Sequence, residues 1–311
     1  MRRLVLLVVV VLLALTTGCR QGPPSEKALV RFGTLPRVFD LPLYVAEQGG
    51  FFQDQGIEVE LVPFNSVMER DVALVAGQID GTLDDLFSAI LLNKGKEERV
   101  RVVATVPLDQ PMIVIVASAQ SSIASVAELK GVEIAVSINT VMDYALDRML
   151  TAQGFQPDQI QRSNIASMSI RLQMLKLGKV KAAVLTPPLS DVAILNGGRA
   201  VIDDGANIGV PNLLFTSHTV EDKPETVRRF VRAWEKAVEA INRTPQEYRQ
   251  LLTEVAQVPA ETSENLRIPV FAGLGLPSEP ELESRVDWML AQGILERRIS
   301  YQQMVEPGFL P

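Results

Sequence analysis

PLYVAEQGGFFQDQGIEV, residues 42–59, carries the clearest structural pattern in the chain. Its first seven residues have the apolar spacing of an amphipathic helix, and the Gly49-Gly50 pair ends it. Phe51 and Phe52 then offer two adjacent rings for burial. Gly56 supplies a second turn, and Ile57-Glu58-Val59 alternates as a strand does. A helix that turns twice on glycine and feeds a strand is one step of an alternating β/α chain.

The same alternation continues on both sides. Strands are predicted at 30–34, 57–64, 81–84, 100–106 and 112–117. Helices are predicted after the capping box Ser66–Glu69 as far as Gly77, and over 86–93. A second unit opens with the capping box Ser125–Glu128, closed by Gly131. It continues through a strand at 133–137, a helix from Thr140 to Gly154, a helix over 167–177, and short strands at 182–186 and 200–202. Residues 212–217 read as a strand returning to the first unit. From Pro224 the positions Val227, Phe230, Val231, Trp234, Val238 and Ile241 fall on one helical face, so Trp234 reads as core. Residues 261–311 read as further helix with loops. Alternating βα units imply α/β lobes with mainly parallel sheets. Two such lobes joined by two crossing strands, near 106–116 and 208–217, make a hinged clamshell. The expected division is 29–110 with 212–311 as the first lobe and 111–211 as the second.

The N-terminus reads as an export signal. Arg2 and Arg3 precede an apolar run over 4–15, too short to span a bilayer, and Thr16-Thr17-Gly18-Cys19 follows. Residues 1–18 are the expected signal. Cys19 is the expected lipidated first residue, and the polar, Pro-containing stretch 19–28 is a tether to the outer face of the cytoplasmic membrane. Cys19 is the only cysteine, so no intrachain disulfide or cysteine-rich metal site is possible. A net charge of −7 argues against a nucleic-acid partner. Aromatic residues are only 5% of the chain, which gives weight to any ring in a cleft loop.

Three further stretches accompany 42–59. They are ALVAGQID at 73–80, LKGVEIAV at 129–136 and LKLGKVKAAV at 175–184. In this order the four resemble the solute-binding proteins of ABC importers for sulfonates, nitrate and thiamine-type pyrimidines, a family that shares its fold with the thiamine pyrimidine synthases. The resemblance thins after about residue 240, and Thr186-Pro187-Pro188 stands where relatives often have Glu-Pro. It implies the two-lobed periplasmic-binding-protein fold of type II, a small-molecule ligand, a membrane permease and an ATPase as partners, and a monomer.

In open α/β sheets ligands sit outside the carboxyl ends of the strands. Five loops qualify. LPRVFD at 35–40 brings Arg37, Phe39 and Asp40, with Tyr44 on the helix behind them; Phe39 could stack on a ligand, and Tyr44 suits either a ligand or the core. Asn65 and Ser66 open a helix, as simple caps or as a nest for an anion or carbonyl. Asp84 and Asp85 follow a strand, as hydrogen-bond acceptors for a ligand or as stabilisers of the next helix. Ser137, Asn139 and Thr140 combine side-chain donors with a helix N-terminus. Thr186 and Asp191 flank a proline-stiffened loop. Several carboxylates and one arginine favour a neutral, flat, polar-edged ligand, riboflavin or a thiamine-type pyrimidine, over a sulfonate, taurine or nitrate anion. No cofactor is expected. The enzyme reading of the related synthases needs a cysteine-rich segment and a histidine. This chain has no cysteine after Cys19 and a single histidine, His218. The expectation is therefore a binding protein rather than an enzyme.

Overall fold

The structure is a computed structural model that describes residues 28–311 apart from 96, 206, 259–262 and 265. The expected signal and Cys19 lie outside the described residues, as does the expected tether up to residue 27; Ala28 already opens the first strand. Among the described residues ten strands form two five-stranded sheets. β1 (Ala28–Thr34), β2 (Ile57–Pro63), β3 (Gly81–Asp85) and β4 (Val100–Thr105) belong to the first sheet. β5 (Val114–Ala117), β6 (Glu133–Val136), β7 (Gln161–Asn164), β8 (Ala182–Leu185) and β9 (Arg199–Asp203) make the second, and β10 (Pro211–Thr216) returns to the first.

The orders are β2-β1-β3-β10-β4 and β7-β6-β8-β5-β9, so the two sheets repeat one plan. Three strands in each are parallel, with Val30 opposite Val59 and Ile134 opposite Arg162. The strand inserted fourth in each runs antiparallel to both its neighbours: β10 against β3 and β4, β5 against β8 and β9. The sheets are thus mixed where mainly parallel ones were expected. The reason is connectivity, because the strand nearest each crossing comes from the other lobe and enters from the opposite end.

The opening stretch folds as Leu41–Gln48, a turn, Phe51–Asp54 and β2. Gly50 and Gly56 both sit at φ +72°, a left-handed conformation that costs a side-chain-bearing residue of order 1 kcal/mol. Phe52 is buried and stacks on Phe230 with centroids 5.2 Å apart, whereas Phe51 stays half-buried. Phe230 belongs to the long helix Pro224–Arg243, whose expected apolar face, Trp234 included, is buried as read. That helix lies on Leu41–Gln48, beside the first sheet.

Two crossings, 106–113 and 204–210, join the sheets. Asp204, 6% exposed, ties them together. Its Oδ1 accepts the N–H groups of Met112 (3.0 Å) and Ile113 (3.3 Å), and its Oδ2 those of Gly209 (2.9 Å) and Ile208 (3.3 Å).

Candidate ligand cleft

The carboxyl ends of the two sheets face each other. The clearest sign is Tyr144, on the second-lobe helix Val141–Ala152. It is buried between Phe87, on the helix Leu86–Leu92 that follows β3, and Trp288 of the helix Glu279–Ala291. At the hinge end of this cleft lies a cavity of 210 Å³. Leu86, Thr105, Asn207, Asn212, Glu281 and Arg285 line part of it.

The first wall is an ion-pair network. Arg70, fully buried, holds Asp84 and Asp71 (2.6 Å to the latter) and donates to the Leu83 carbonyl. Arg37 donates to the same carbonyl at 2.5 Å, approaches Asp40 (3.4 Å) and Asp84 (3.6 Å), and lays its guanidinium 4.4 Å from the centre of the Phe39 ring. Asp40 is fully buried and accepts the Leu35 N–H at 2.9 Å; burial pushes its carboxyl up. Burial pushes Asp84 up as well, but the charges of Arg70 and Arg37 outweigh it and hold the group below the ordinary value. Tyr44 shares a 2.9 Å hydrogen bond with Thr34. Asn65 is exposed, and Ser66 caps its helix by accepting the Glu69 N–H.

The second wall is built from the loops after β6 and β8. Thr140 caps Val141–Ala152 by accepting the Met142 N–H at 3.2 Å and donates to the Ser137 carbonyl at 2.7 Å. Asn139, exposed at φ +61°, donates its backbone N–H to Asp143 at 3.0 Å, and Asp143 is in turn paired with Arg162 at 2.6 Å. Thr186 donates to the sulfur of Met168 at 3.3 Å. Asp191 sits half-buried on the helix Leu189–Leu195, its carboxyl pushed up by burial and partly offset by Arg267. His218 is exposed, 3.0 Å from Asp222, on the helix that follows β10.

Of the expected residues, Arg37, Phe39, Asp40 and Asp84 come together in one cluster and Ser137, Asn139 and Thr140 in another at the start of Val141–Ala152; none of them lines the 210 Å³ cavity, and several are engaged with protein partners. Asp84 is bound by two arginines, Asp40 by a backbone N–H and Arg37, and Phe39 by a cation. Asp84 and Asp85, read alike in sequence, have opposite roles, because successive strand residues point to opposite faces. Asp85 caps the helix Leu86–Leu92, accepting from the N–H (2.9 Å) and hydroxyl (3.1 Å) of Ser88.

Burial, with Asp84 alongside, pushes the Asp85 carboxyl up to about 7. A folded value above the unfolded one contributes stability that is fully present below the ordinary 3.8 and is lost as pH rises through about 7. Asp85→Asn keeps a good cap and removes the charge. The parent is expected to lose stability in urea between pH 4 and pH 7, and the variant to show a flatter profile there; equal slopes would refute this assignment.

Arg285, which lines the cavity, and the buried Arg70 and Arg171 are arginines that local sequence reading passes over. A signal for two of them was present. Ser66, Arg70, Leu74 and Gly77 recur at identical spacing as Ser167, Arg171, Leu175 and Gly178. Both serines cap their helices, and both glycines have positive φ, +69° and +65°.

Two sheets of matching order, joined by two crossings with a cleft at their carboxyl ends, define the two-lobed clamshell of periplasmic binding proteins. The chain matches the family described as NMT1/THI5 like over residues 40–248 and belongs to it. Among solved structures it resembles the alkanesulfonate-binding protein SsuA from Xanthomonas axonopodis pv. citri bound to MOPS, at 19% identity over 92% of this chain and 100% of that one, TM-score 0.74. The aliphatic sulphonate binding protein SsuA of Escherichia coli aligns at 18% identity over 89% and 97%, TM-score 0.77. The desulfurization enzyme DSZB aligns at 17% over 91% and 97%, TM-score 0.67, so this fold also carries an enzyme. No curated protein sequence matches the chain.

Proposed function

We propose that the chain is the extracytoplasmic solute-binding subunit of an ABC importer and that its ligand is a small organic anion of the sulfonate class. The observation that carries the ligand reading is Arg285. It lines the 210 Å³ cavity and is 4% exposed. Its hydrogen bonds go to two backbone carbonyls, of Glu281 (2.8 Å) and Ile208 (2.9 Å), and its guanidinium lies 5.3 Å from the Tyr144 ring centre. Among the described residues no carboxylate pairs with it. A buried guanidinium without a counter-ion favours an anion in the adjoining space. The side chains on which a neutral vitamin would depend are by contrast engaged: Phe39 by Arg37, Tyr44 by Thr34, Asp84 by Arg70. Both SsuA proteins of this fold are described as binding sulfonates, which supports the same choice.

In this reading the moving bodies are 29–110 with 212–311, and 111–211. Ligand meets the arginine-rich first wall, and rotation about the crossings brings Ser137, Asn139, Thr140 and Thr186 onto it, excluding water. Cys19, once lipidated, holds the protein outside the membrane beside its permease. Among the described residues no helix is long and apolar enough to cross a membrane.

The test is a thermal-shift and calorimetric series on the protein from residue 20 onward with ethanesulfonate, taurine, nitrate, thiamine and riboflavin. A sulfonate at 100 times its Kd should add about 2.7 kcal/mol of stability. Quenched riboflavin fluorescence with no response to any sulfonate would reverse the ligand assignment.

A further inference from the structure

Arg70 and Arg171 hold corresponding places in the two lobes. Each lies one turn inside a serine-capped helix, and each reaches the carbonyl thirteen residues on, within the third parallel strand: Arg70 to Leu83 and Arg171 to Val184 (2.9 Å). Their surroundings differ. The two carboxylates that neutralise Arg70 are Asp71 and Asp84, and the corresponding places in the second lobe hold Leu172 and Leu185.

Arg171 is nevertheless 1% exposed. A guanidinium has five N–H donors. Here one nitrogen reaches the Val184 carbonyl, a second lies 3.1 Å from the thioether sulfur of Met142, and Nε has no partner. Burial pushes the group down to about 10, and no charged neighbour offsets it. A thioether is a weak acceptor, on a side chain with three rotatable bonds. Met142 stands in the first turn of Val141–Ala152, where Thr140 already takes its N–H and the positive end of the helix dipole favours an anion.

We propose that Arg171 is the residue through which the second lobe reads the ligand's anionic head, and that Met142 is a displaceable plug. The oxyanion takes the place of the Met142 sulfur against the guanidinium fork, and Nε gains its missing acceptor. This rests on the anionic-ligand reading above and adds to it a specific residue and an exchange of partners. It also gives the two lobes different work. The first carries a neutralised arginine that braces its wall, and the second carries the same arginine left for the ligand.

The experiment is calorimetric titration of the parent, Arg171→Met, Arg171→Lys and Met142→Ala with ethanesulfonate, propionate and a phosphonate of equal chain length. Methyl-labelled methionine spectra follow Met142 directly. Arg171→Met replaces a buried charge by an apolar chain of similar length, so its melting temperature should match or exceed the parent's while anion affinity falls about 10- to 100-fold. Arg171→Lys keeps the charge but not the fork and should recover only part of the loss. Met142→Ala removes the competitor and should bind as tightly as the parent or a few-fold tighter. The Met142 methyl resonance should move on titration of the parent.

A parent that binds a carboxylate or phosphonate in place of sulfonates, with Arg171→Met losing it, would reverse the sulfonate assignment and sustain Arg171. A parent that binds sulfonate while a folded Arg171→Met binds equally well, with Met142 unmoved, would overturn the role of Arg171 and leave the function standing. A parent that binds only neutral compounds would overturn both.

Discussion

Asp204→Ala is expected to lower the melting temperature by roughly 5 °C, the equivalent of about 3 kcal/mol at just under 2 °C per kcal/mol for a chain of this size. The cause is local. The two oxygens of Asp204 take four backbone N–H groups, two from each crossing, and a buried donor left without an acceptor costs about 1–3 kcal/mol. Water entering the vacated space limits the total below the sum of four such losses. Asp204 also donates its own N–H to the Ile113 carbonyl at 3.0 Å, a bond the substitution retains, so the crossings stay registered while losing their clasp. Asp204→Asn keeps one acceptor oxygen and turns an NH2 toward two donors, which should place it between the parent and the alanine variant. Hydrogen exchange locates the effect: the amides of Met112, Ile113, Ile208 and Gly209 should lose protection ahead of the sheet interiors. A melting temperature within about 2 °C of the parent, with those amides still protected, would show that the clasp carries no stability.

The architecture was largely open to reading from the sequence, because hydrophobic period and glycine placement are local properties. Residues 42–59 fold as their spacing implies, down to the left-handed Gly50 and Gly56. Even the return of 212–217 to the first unit is visible as a buried strand, found at Pro211–Thr216. Strand direction was harder, since an apolar run has the same pattern in either sense; β5 and β10 run antiparallel because of where the crossings enter. β7, with the sequence QRSN, shows no strand pattern because it is an edge strand paired on one side only, with no buried residue. The site was less legible than the fold. Asp84 reads as a free acceptor until Arg70, fourteen residues earlier, is seen to reach it through the protein. Arg171 is invisible to amphipathic reasoning, which assigns a helical arginine to solvent. Its environment is set by Leu172 and Leu185, which stand where the first lobe has Asp71 and Asp84.

Tyr144→Ala should weaken ligand binding about 100-fold or more while leaving each lobe folded. Tyr144 belongs to the second lobe but is 3% exposed within the first lobe's apolar cluster. Its ring lies 5.7 Å from Trp288, near edge-on at 79°, and 6.3 Å from Phe87; its hydroxyl shares a 2.8 Å hydrogen bond with Ser284. Truncating a buried aromatic side chain to alanine costs about 3–5 kcal/mol. Here that cost falls on the closed arrangement alone, because lobe separation would expose the ring in either case. Any ligand that needs closure must then supply the difference, and 3 kcal/mol is already more than a hundredfold in Kd. Tyr144→Phe loses only the hydroxyl contact, about 0.5–1.5 kcal/mol, and should stay within roughly tenfold of the parent. The unliganded alanine variant should also show a larger radius of gyration in solution scattering than the unliganded parent, and ligand should narrow the gap. If alanine and phenylalanine weaken binding alike, the rings are not what holds the lobes together, and closure must depend on the Ser284 hydrogen bond instead. If neither changes affinity or radius, Tyr144 contributes packing without any share in closure.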